Sequence, residues 1–62
     1  MDLKVLRDVR KERGMTIKAL SKAVGCHRNL ISGMENGRIN PSLEIVNDVV
    51  RVLGYRLVLV RE

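Results

Sequence analysis

Residues 16–36, TIKALSKAVGCHRNLISGMEN, decide the fold. Two short segments with helical spacing flank a single glycine. In the first, Ala19, Leu20, Ala23 and Val24 recur at the intervals of three and four that line one side of a helix. In the second, Leu30, Ile31 and Met34 do the same. Thr16 can accept a hydrogen bond from an orphan amide, so it is the expected N-cap of the first helix. Between the segments, Val24-Gly25-Cys26 reads as a tight turn, because glycine takes the left-handed conformation that ends a helix without steric penalty.

The same punctuation recurs on both sides. Gly14, Gly37 and Gly54 each follow a segment with helical periodicity, and together with Gly25 they predict four helices. The first covers about residues 3–13 and turns Leu3, Leu6, Val9 and Arg10 to one side. The fourth opens after Asn40-Pro41-Ser42 and turns Leu43, Val46, Val49, Val50 and Leu53 inward. Gly33 is the exception, because it falls inside a segment. After Gly54 the pattern changes. The run from Tyr55 to Arg61 is rich in strand formers and predicts a β-strand. Nothing else in the chain reads as a strand, and one strand cannot satisfy its own backbone hydrogen bonds. The simplest partner is the same strand from a second copy, paired antiparallel about a two-fold axis. The competing readings are a strand packed on its own helices with a wet edge, or a fifth helix. The expected fold is mainly α, with a four-helix domain over residues 1–54. A C-terminal β-strand over residues 55–62 then pairs across a dimer through Tyr55, Leu57, Val58, Leu59 and Val60.

Composition narrows the partners. A chain of 62 residues buries only about 60% of its unfolded surface and gains from a partner subunit. Cys26 is the one cysteine, which excludes an internal disulfide, and His27 beside it does not make zinc-ligand spacing. No metal and no cofactor is expected. Twelve Lys and Arg against seven Asp and Glu give a net charge of +5, which favours a polyanion, nucleic acid above all. Tyr55 is the only aromatic residue. Single-strand binding by base stacking needs aromatic platforms, so duplex DNA is the better partner. No apolar run approaches the ~18 residues of a membrane span, and charges interrupt every apolar stretch near the N-terminus. The expected location is the cytoplasm, with no membrane partner.

Two short helices around a tight glycine turn form a helix-turn-helix unit. The second helix of such a unit enters the major groove and presents its first residues to base edges. Here those are His27, Arg28 and Asn29, with Ser32 one turn later. Arginine can be bidentate to guanine, asparagine bidentate to adenine, and serine can donate or accept.

The pieces Leu6-Arg7 with Arg10, Arg13-Gly14-Met15-Thr16, Ala19-Leu20-Ser21, Val24-Gly25, Ile31-Ser32, Glu35-Asn36-Gly37 and Asn40-Pro41-Ser42-Leu43-Glu44 resemble the lambda-repressor-like, Cro/XRE-type helix-turn-helix family. The resemblance covers residues 6–53. It implies a structural ion pair between Arg10 and Glu35, and DNA phosphate contacts from Thr16, Asn36 and Arg38. The chain departs from the family at three places. Ile17 stands where glutamine usually touches phosphate, so Lys18 takes over that contact or it is lost. His27 stands where serine or threonine usually caps the recognition helix. Being a poor cap, it is expected to face phosphate or a base instead. Gly33 stands where a long side chain is common. It either lets the backbone approach DNA closely or leaves the position unread. The terminal strand narrows the resemblance toward HipB-type antitoxins, in which such a strand pairs across the dimer.

The favoured function is a sequence-specific repressor or autoregulator, bacterial or phage-encoded and nucleoid-associated, that binds a palindromic operator as a homodimer. The alternative is an antitoxin-type interaction module that neutralises a partner toxin, with DNA binding secondary. An enzyme is rejected, because no nucleophile–base pair, carboxylate pair, phosphate loop or metal set is present. The bases of the first helix (Lys4, Arg7, Lys11 and Arg13) are interleaved with Asp8 and Glu12 and read as a solvated face. Cys26 reads as a buried structural thiol.

Overall fold

Four helices follow one another, α1 (Val5–Glu12), α2 (Ile17–Val24), α3 (Arg28–Glu35) and α4 (Leu43–Val52). The computed structural model describes residues 3–62. Residues 1–2 of the expected 1–54 unit lie outside the described residues. Local chemistry sets the helix starts. Thr16 Oγ1 accepts from the Ala19 amide at 3.0 Å and opens α2, and Ser42 Oγ accepts from the Ile45 amide at 3.2 Å and opens α4. The helix ends share one closure. The amides of Met15, Cys26, Arg38 and Tyr55 return to the carbonyls of Arg10, Ser21, Gly33 and Val50, five residues back. This wrap needs a left-handed residue just before the donor. Gly14, Gly25, Gly37 and Gly54 supply it, all at positive φ.

The core is one cluster of Leu6, Leu20, Ile31, Met34, Val46, Val49, Val50 and Leu53. α2 lies against both α3 and α4, while α1 packs on α3. Two inner faces differ from the periodicity reading. On α2, Ala19 and Ala23 are exposed and Ser21 is buried. Alanine is too small to decide a helix face, and Ser21 tolerates burial because its hydroxyl donates to the Lys18 carbonyl at 2.9 Å. On α4, Leu43 is 63% exposed and lies toward the chain terminus, lining a groove with Leu57, Val58 and Leu59.

The segment after Gly54 carries no regular secondary structure. The strand expected there is absent from the single chain because a strand is defined by its hydrogen-bonded ladder, and no described residue offers a second edge. Its first part is nevertheless fixed to the body. The Arg13 guanidinium carbon sits 5.6 Å from the centre of the Tyr55 ring, within cation–π range. Leu57 packs against the core. Beyond it Leu59 is 97% exposed and Val60 82%. An apolar groove of about 310 Å3, walled by Leu3, Val5, Leu6 and Val9 of the α1 region, Val46, Val50 and Leu53 of the α4 region, and Tyr55, Arg56 and Leu57, runs beside this segment.

Candidate nucleic-acid interface

The site is built outward from one buried pair. Arg10 Nε donates to Glu35 Oε2 at 2.6 Å and Arg10 Nη2 to Glu35 Oε1 at 3.0 Å. The third direction of the guanidinium, Nη1, donates to the Met15 carbonyl at 2.7 Å. Hydrogen bonding to Glu35 raises the Arg10 pKa above its ordinary value, burial opposes that, and the carboxylate charge adds to it. One arginine thus ties α1 to the end of α3 and to the loop that leads into α2. The orientation of α3 depends on it.

α3 then presents its outer face. Arg28 and Asn29, together with Ser32, line a cleft with Thr16, Ile17 and Lys18 from the start of α2. A neighbouring cleft is lined by Arg7, Lys11, Ser32 and Asn36. Arg10, Ile17 and Ser32 border both, so the two form one continuous surface. Among the described residues Glu35 is the only acid lining either, and Arg10 pairs with it. What remains toward solvent is basic and amide-bearing, the chemistry that suits phosphates and base edges.

The structure brings Thr16, Lys18, Arg28, Asn29 and Ser32 together and sets Asn36 beside them. Arg38 lines neither cleft. It is held locally by Asn36 Oδ1, which accepts from the Arg38 amide at 3.0 Å and from Arg38 Nε at 3.2 Å. That fixes the loop after α3 and leaves the Asn36 amide group as a donor. Ile17 is half-buried at the rim, so the basic group at this end of α2 is Lys18.

Two residues play parts the sequence did not reveal. His27 caps α3, since its Nδ1 accepts from the Asn29 amide at 3.0 Å. The expectation of a poor cap is corrected. An imidazole nitrogen has an in-plane lone pair that can accept from an amide as a hydroxyl oxygen does, and with Nδ1 accepting, Nε2 is the ring's donor. Gly33 is buried rather than bare, because the Ile39 side chain lies over it. The α1 bases are exposed, in keeping with a solvated face, and two of them also line the cleft. Arg7 and Lys11 belong to the α3-side surface. Their i, i+4 spacing, with Asp8 and Glu12 each one position further round, was the available signal. Cys26 is half-buried rather than fully buried, and burial pushes its thiol pKa up.

Among the described residues no group of three or more His, Cys, Asp or Glu could hold a metal ion, and no helix is long and apolar enough to cross a membrane.

A family model described as helix-turn-helix matches residues 6–60. The chain belongs to the Cro/XRE-type helix-turn-helix family. This helix-turn-helix protein is 40% identical over 50 residues to an HTH-type transcriptional regulator of Methanothermobacter thermautotrophicus, which covers 81% of this chain and 72% of the relative. It is 38% identical over 52 residues to an HTH-type transcriptional regulator of Archaeoglobus fulgidus, covering 84% of this chain and 74% of the relative. Among solved structures, the clp gene regulator ClgR from Corynebacterium glutamicum superposes with a TM-score of 0.79 at 31% identity, over 82% of this chain and 54% of that one. The helix-turn-helix protein therefore spans about half the length of that solved relative. Its family and fold are those of a DNA-binding transcriptional regulator and not of an enzyme.

Proposed function

We propose that this protein binds a palindromic duplex operator as a homodimer and represses transcription there, with α3 in the major groove. The observation that carries the reading is the continuous, unneutralised basic and amide surface formed by α3, the start of α2 and α1. Arg28, Asn29 and Ser32 read bases, with His27 at the helix start. Thr16, Lys18, Asn36 and Arg38, joined by Arg7 and Lys11, hold phosphates and set register. The two-fold axis comes from residues 55–62, which pair antiparallel with the same segment of a second copy. The exposed side chains of Val58, Leu59 and Val60 support this reading. An apolar run with unpaired backbone groups is expected to find a partner edge, and the run and its neighbouring groove would be covered together.

Selection of bound duplexes from a random pool at two salt concentrations tests the proposal. Enrichment of a palindrome with half-site centres one helical turn apart, roughly 34–36 Å, is expected. Steeply salt-dependent binding with no enriched sequence would leave only non-specific phosphate attraction and overturn the operator reading.

A further inference from the structure

Gly33 stands four residues after Asn29 and three before Asn36, so the three share one flank of α3. A residue without a side chain should leave a gap in that flank. The gap is filled from outside the helix. A β-carbon built on Gly33 would come 2.5 Å from Ile39 Cγ1 and 3.0 Å from Ile39 Cβ, so the Ile39 side chain occupies the place of the missing one. The loop is held in this position, since the amides of Arg38 and Ile39 both donate to the Gly33 carbonyl, at 2.9 and 3.1 Å. Glycine at 33 permits this close approach.

Ile39 is not thereby buried. It remains 39% exposed, an aliphatic group on the flank that also carries Asn29 and Asn36. We infer that Ile39 is a base-reading residue whose side chain, laid across Gly33, contacts the 5-methyl group of a thymine in the major groove. The thymine methyl is the one apolar feature of the major-groove edges. An isoleucine has no donor or acceptor to offer the other bases. A residue that served only to cover Gly33 would be indifferent to that methyl. The inference rests on α3 being the groove helix.

The test uses the duplex enriched from the random pool, with each thymine replaced in turn by deoxyuracil, which lacks only the methyl. Wild-type protein is expected to lose about fourfold in affinity per half-site at one thymine, the effect of burying one methyl-sized group. Ile39→Val, which stays aliphatic, keeps that sensitivity. Ile39→Ser loses it and binds the thymine and uracil duplexes equally, while Arg28→Ala retains it. If Ile39→Ser does not fold, Ile39→Ala, which removes the same aliphatic reach without adding a polar group, takes its place, and full sensitivity that persists in folded Ile39→Ala overturns the assignment. An enriched duplex without any methyl-sensitive thymine, or sensitivity that persists in folded Ile39→Ser, overturns the assignment of Ile39 and leaves the operator reading intact. Failure to enrich any duplex overturns both.

Discussion

The helical body and the segment after Gly54 are both rich in aliphatic side chains, yet they end in opposite states. In the body, Leu20, Ile31, Met34, Val49 and Leu53 are almost wholly buried; in the terminal segment Val58, Leu59 and Val60 face solvent. The difference is one of period. Aliphatic residues at helical intervals close on one another within a chain, because four short helices can turn their stripes to a common centre. Aliphatic residues in a continuous run call for a strand, and a strand takes its hydrogen bonds from another strand. The same kind of residue builds a core in one region and an exposed apolar run in the other.

The sharpest way to break the body alone is to attack its polar lock. Glu35→Ala leaves Arg10 buried without its carboxylate, at a cost of about 3–5 kcal/mol, comparable to the ~3–5 kcal/mol that a single core of this size supplies. Circular dichroism should show loss of helix, whereas Arg10→Met combined with Glu35→Leu should recover it. A well-folded Glu35→Ala protein would mean that α1 and α3 are held by apolar packing alone. The terminal segment should break differently. Leu59→Asp is expected to leave the helical signal intact and yield a monomer by sedimentation, with operator affinity falling about 10²-fold or more as two linked half-site contacts become one. A variant that remains dimeric would place the two-fold axis elsewhere.

Within the body, Arg28→Ala should cost roughly 1–3 kcal/mol of operator binding and relax preference at one base pair, while Arg7→Ala should weaken binding to every sequence alike and reduce the salt slope by about one. Equal behaviour of the two variants would remove the division between base and phosphate contacts. The smallest effect is expected at the junction. Gly54 holds φ at 88°, and a β-carbon there would come 2.8 Å from Arg13 Nη2. Gly54→Ala should cost about 1 kcal/mol, seen as a fall in Tm of roughly 4–8 °C. No change in Tm would show that the junction is loose.

Much of this was legible in the sequence. Four glycines and two hydroxyl caps mark where helices start and stop, because those signals act over five residues or fewer. The side chains that gather on the outer face of α3 followed from the turn at Gly25 and the order of residues after it. What was not legible depends on distance along the chain. Ile39 covers Gly33 through a loop whose path helical periodicity does not encode. Arg7 and Lys11 reach the α3 surface only because Arg10 docks α1 there. Ser21 and Ala23 exchanged inner and outer places on α2, since small residues carry little preference and a neighbouring carbonyl settles it.

Tyr55 has one more use. It is the only aromatic side chain in the protein, it is half exposed, and it stands between the body and the terminal segment with the Arg13 guanidinium over its ring. Near-ultraviolet absorption and intrinsic emission therefore arise from a single ring at the junction. The molecule carries its own optical reporter of whatever the terminal segment does, and no label needs to be attached to watch it.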